Sequence, residues 1–129
     1  MPATPSAMSL HLKYRLWIAE LNFDINVLRI FGDYLTELRS RHKEPEVKAK
    51  SDYFEKTFQG LRNEIDELRH ELHIGKMKLG AFGRDGKPFD YKVFNSENQL
   101  PLKKRFSGYK SDFKKINIEF EEFEGQWLS

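Results

Sequence analysis

Three stretches of this chain repeat apolar residues in alternating steps of four and three. On an α-helix such residues line one side, so each stretch reads as a helix with a seam to bury. The last stretch is the most regular: Leu102, Phe106, Tyr109, Phe113, Ile116, Phe120, Phe123 and Trp127. The second reads Val47, Ser51, Phe54, Phe58, Leu61, Ile65, Leu68 and Leu72. The first reads Leu10, Tyr14, Trp17, Leu21, Asp24, Leu28, Phe31, Leu35 and Leu38, with Asp24 as its single polar break. The fold class that follows is all-α: an antiparallel up-down-up bundle of three long heptad-patterned helices.

The expected boundaries are a flexible N-terminal tail over residues 1–8 and a single helical domain over 9–129. Within it the helices span about 9–40, 45–74 and 99–125, judged from caps and breakers. Ser9 is the expected first N-cap, and Pro45 fits the first turn of the second helix. Residues 75–98 form an ordered connection, read as a glycine-rich loop or a short β-hairpin. Asp85-Gly86 gives a turn signal, Met77 and Leu79 alternate before it, and Phe89, Tyr91 and Val93 alternate after it. Gly75 can end the second helix as a C-cap. The seam continues through Gly75 to Leu79, however, and allows a further turn.

At 129 residues the chain fits one domain, and its eleven phenylalanines supply large core contacts. The net charge of +2, from 22 basic and 20 acidic residues, gives no general pull toward nucleic acid. The chain has no cysteine, which excludes disulfides, thiolate catalysis and Cys-based zinc sites. That composition fits the cytoplasm. The N-terminal residues carry no basic start followed by an apolar run, so no secretory signal is expected there. The most apolar stretch, Leu16 to Phe31, is broken by Glu20, Asn22, Asp24, Asn26 and Arg29, which argues against a membrane span.

Charge predicts how the helices pair. The third helix is basic in its first half, from Lys103 to Lys115, and acidic in its second, from Glu119 to Glu124. The helix dipole favours the reverse. The second helix turns acidic toward its end, through Glu64, Asp66, Glu67 and Glu71, so running the two antiparallel sets opposite charges side by side. The first helix then has a stripe to spare: Leu16, Phe23, Val27, Ile30 and Tyr34. An apolar face of that size marks an interface, and the expected occupant is a second copy of the chain in a two-fold dimer. Cover by the 75–101 segment is the alternative, and a further protein partner remains open.

No catalytic constellation and no cofactor site emerge. Glu67 and His70 have the Glu-x-x-His spacing of carboxylate-bridged metal bundles, with His73 one turn on, but no second such pair exists, so a solvated helix face is the simpler reading. Asp24 reads as a register-setting polar group paired with an arginine or lysine of a neighbouring helix or subunit. Gly80, Gly83 and Gly86, near Lys76, Lys78, Arg84 and Lys87, read as turn formers rather than a phosphate cradle. Lys103-Lys104-Arg105 reads as intramolecular charge pairing, since Phe106 and Tyr109 belong to the seam and are not free to stack on bases. The function these readings favour is a helical interaction or oligomerisation module, a scaffold or adaptor, with enzymatic activity disfavoured. The alternatives are a small metal- or ligand-binding bundle enzyme, with Asp66, Asp85 and Asp90 also to be tested, and a weak nucleic-acid binder using the basic half of the third helix.

Overall fold

Ser6, not Ser9, caps the first helix: its Oγ accepts a hydrogen bond from the Ser9 backbone N–H at 3.0 Å. From this cap α1 runs over Ala7–Arg41. The computed structural model describes residues 5–86 and 88–128. Of the tail expected over residues 1–8, residues 1–4 lie outside the described residues, as does Lys87, while Ala7 and Met8 already belong to α1. His42, Lys43 and Glu44 make the turn into α2, Pro45–Asp85, with Pro45 in its first turn. A short α3, Tyr91–Phe94, leads through a π-helical turn, Asn95–Gln99, into α4, Leu100–Trp127.

The region between the second and third seams departs from the sequence-based expectation. Among the described residues there is no strand. The helix placed at about 45–74 continues to Asp85, and Gly75, Gly80 and Gly83 all lie inside it. Each of these internal glycines costs about 1 kcal/mol in helix propensity. Buried Leu79, and Phe82 packed edge-on against Phe89 at 5.1 Å, offset that cost. The turn is confined to Gly86, whose left-handed backbone (φ 63°) closes α2. The alternation of Phe89, Tyr91 and Val93 is not a strand either. Asp90 caps α3, its Oδ1 accepting from the N–H groups of Lys92 and Val93.

The helix axis is continuous from α3 into α4, and the π turn has an assignable cause. In a regular helix the Pro101 ring would press on the carbonyl of Glu97 and leave it without a donor. Widening the preceding turn by one residue relieves that contact, and Leu100 N–H reaches the Asn95 carbonyl instead.

The three long helices pack up-down-up. Contacts between α1 and α4 advance together along both, from Trp17 on Phe106 (5.1 Å between rings) through Phe31 on Phe120 (4.8 Å) to His42 on Trp127 (5.3 Å), so these two run parallel. Against α2 the order reverses, with Arg105 beside Glu64 and Glu67 and Phe123 beside Phe54. Toward the end of the bundle that holds the α1–α2 turn, the core is a phenylalanine cluster. Phe120 meets Phe54 edge-on at 5.2 Å and Phe58 at 5.3 Å. Such aromatic pairs add about 0.5–1.5 kcal/mol each beyond the area they bury. No helix among the described residues is long and apolar enough to cross a membrane.

Candidate functional site

Two features of α1 stand out against this core: a carboxylate buried inside it and an apolar face outside it. Asp24 takes a seam position and is 2% exposed. Its Oδ2 accepts from the Tyr109 hydroxyl at 2.8 Å and from Lys110 Nζ at 2.9 Å. Lys110 also reaches Glu20 at 3.3 Å. A buried carboxylate needs partners of this kind, because an unpaired charge in the interior costs far more than the pair returns. Burial holds the Tyr109 hydroxyl well above the usual phenol range, and its bond to Asp24 pushes the same way, so Tyr109 stays the donor. For Lys110, desolvation alone lowers the pKa. Its hydrogen bonds and charge attractions to Asp24 and Glu20 outweigh that, and the pKa is raised. The group is a connected set of hydrogen bonds and ion pairs joining α1 to α4.

The outer face of α1 is the second feature. Leu16 is 60% exposed, Phe23 67%, Ile30 44% and Tyr34 50%. Val27 is half-buried against the edge of the core. Leu12 extends the row at 58% exposure. The row follows one side of the helix because its steps are those of the seam, rotated by roughly a quarter turn. It borders the groove between α1 and α4, where Ile30, Phe31 and Tyr34 meet Phe120, Glu121 and Glu124. The 75–101 segment packs elsewhere, against the end of α2 and against Tyr14, as the ring contacts of Phe89 and Phe94 show. It does not cover Leu16 to Tyr34.

The remaining candidates are not brought together. Glu67 faces α4 and pairs with Arg105 at 3.2 Å, while His70 and His73 are exposed on α2. Among the described residues, no three His, Asp or Glu side chains are grouped closely enough to share a metal ion. Slight desolvation by its neighbours lowers the pKa of the exposed His73, and repulsion by Lys76, Arg69 and His70 adds to this. Gly80 and Gly83 lie within α2 with open space around them, so no phosphate-cradling loop is formed. Phe106 and Tyr109 are buried, which leaves Lys103, Lys104 and Arg105 without an aromatic surface to share with bases.

Sequence reasoning did not single out two partners. The periodicity marks Tyr109 only as a seam residue; its hydroxyl is the nearest donor to Asp24. Tyr14 likewise reads as apolar filling. Its ring lies flat against α2 at Gly75, where any side chain would collide with Tyr14 Cε2. Continuation of the seam through a glycine was the available signal for this close approach. Comparison of the chain with family models, curated proteins and solved structures finds no match.

Proposed function

We propose that the protein acts as a helical interaction module that pairs with a second copy of itself through the outer face of α1. The observation that carries this is the row Leu16, Phe23, Ile30 and Tyr34, four large apolar side chains each at least 44% exposed on one helix face. Exposed apolar surface of that length is costly in water and is relieved by a matching surface.

Charge beside the row favours a second copy in antiparallel orientation. The side of α4 that borders this face carries Lys103 near its start, beside a Lys110 already paired within the chain, and Glu121 and Glu124 near its end. A two-fold axis near the middle of α1 sets α1 antiparallel on its copy. The basic end of one α4 then faces the acidic end of the other, and the same patch serves both chains. The heptad spacing supports the same picture, since a coiled-coil seam is the packing mode that such a stripe fits. A scaffold or adaptor role in a reducing cytoplasm agrees with a cysteine-free, highly charged surface.

Light-scattering mass at micromolar concentration tests the proposal. Wild-type chain is expected at twice the monomer mass, and Phe23→Glu combined with Ile30→Glu at the monomer mass with unchanged helicity. A wild-type mass equal to one chain would overturn it.

A further inference from the structure

At the end of the bundle where α2 outruns α1, two hollows meet. The outer one, about 470 Å³, has walls of Ala81, Phe82, Pro88, Val93 and Phe94. The inner one, about 160 Å³, is lined by Tyr14, Glu71, Gly75 and Arg105. Both share Lys78, Glu97 and Asn98, so the apolar hollow leads into the polar one. Gly75 and the π turn shape the inner wall. The glycine lets the Tyr14 ring reach α2, and the widened turn sets Glu97 and Asn98 at the rim.

The polar groups here are unevenly satisfied. Tyr14 is wholly buried, yet its hydroxyl has no hydrogen-bond partner. A buried hydroxyl left unpaired is a standing cost that a bound polar group relieves. Of the two cations, Arg105 is paired with Glu64 and Glu67, while Lys78 touches only the neutral Asn98 Oδ1 at 3.4 Å and keeps its charge, which the carboxylates of Glu71, Glu97 and Asp90 outnumber along the two hollows. The carboxylates of Glu71 and Glu97 have no ion pair among the described residues. Unengaged anions beside an unpaired hydroxyl, at the bottom of an apolar cleft, select a ligand with a cationic head and an apolar body.

We propose that this cleft binds a small amphipathic organic amine. The ammonium enters the inner hollow between Glu71, Glu97 and the Tyr14 hydroxyl, and the hydrocarbon or aromatic body lies along Phe82 and Phe94. The inner hollow has room for a head of only a few heavy atoms, given about 30 Å³ for each water-sized group. The outer one takes a single ring or a short chain.

The test is a titration of the full chain followed by amide NMR, with three probes of one shape: phenethylamine, the neutral 2-phenylethanol and the anionic 3-phenylpropionate. The amine is expected to shift amides of residues 71–82 and 90–105 saturably, and the anion not to. Glu71→Gln with Glu97→Gln is expected to weaken the amine about tenfold or more, because a charge-assisted contact is lost at each position. Both glutamates are exposed, so this variant should keep the wild-type spectrum elsewhere. Tyr14→Phe removes only the hydroxyl and is expected to weaken the amine severalfold. Absence of saturable shifts, equal binding of the anion, or unchanged amine affinity in the double variant would each overturn the proposal.

Discussion

The Tyr109 hydroxyl and the Asp24 carboxylate meet at 2.8 Å inside the bundle, on helices linked only through the whole of α2. Either side chain would be costly to bury alone. The carboxylate needs donors, and the hydroxyl needs an acceptor in a region where water does not reach. Each therefore makes the other's position tolerable.

Removing one member of this pair should cost more than removing both. Asp24→Ala is expected to destabilise by about 2–4 kcal/mol, toward the low side for a broken buried pair because Lys110 can still reach Glu20. Tyr109→Phe should cost about 1–2 kcal/mol, leaving Asp24 with Lys110 alone. Asp24→Leu with Tyr109→Phe should return to within about 1 kcal/mol of wild type, since an apolar pair satisfies itself. Urea midpoints of the variants give the coupling; simple additivity would show that the pair does not act as a unit.

Glycine replacements in α2 and α4 should differ in sign. Gly60→Ala and Gly108→Ala have open space at the new Cβ and are expected to stabilise by about 0.5–1 kcal/mol each through helix propensity. Gly75→Ala gains the same propensity but drives a methyl into the Tyr14 ring. We expect a net loss of about 1–2 kcal/mol, as for other overpacked cores. Thermal melts read all three, and a stabilised Gly75→Ala would show that Tyr14 moves aside freely.

Alkaline pH should weaken the fold through its buried phenols. Burial pushes the Tyr14 pKa up to about 12 from 10.0. A raised folded-state pKa keeps its stabilising effect below pH 10, where both states hold the proton. That effect is lost as pH climbs from 10 to 12, while the unfolded chain ionises and the folded one does not. Two units correspond to about 2.7 kcal/mol. Tyr109 acts in the same direction. Denaturant midpoints between pH 9 and 12 should fall less steeply for Tyr14→Phe than for wild type.

The proposed pairing through α1 would make stability depend on concentration. The melting temperature of wild type should rise with chain concentration, because only the folded chain dimerises. For Phe23→Glu the melt should be independent of concentration. The same dependence in both proteins would place any association on another face.

The charge pairs between α2 and α4 guide orientation more than they hold it. Arg105, which bridges to Glu64 at 3.3 Å and Glu67 at 3.2 Å, is exposed, so Arg105→Ala should cost less than about 1 kcal/mol. Chemical denaturation resolves this from the larger effect at Asp24.

What could be read from the residues was periodicity and its consequences. In α2 the row Val47, Ser51, Phe54, Phe58, Leu61, Ile65, Leu68 and Leu72 is buried throughout, because a helical repeat fixes a face wherever the helix sits. The spare row on α1 was equally visible, and so was Asp24 as the odd residue in its seam. The sequence alone did not reveal where α2 stops. Gly75, Gly80 and Gly83 favour a turn locally, and only the packing of Leu79 and Phe82 overrides them. Nor did it reveal that Tyr109 and Lys110 would answer Asp24, that Tyr14 would lie against Gly75, or that Pro101 would be absorbed by a π turn. Local pattern determines which side of a helix is apolar. Which groups meet across helices depends on rotation and register, and those are decided when the helices pack.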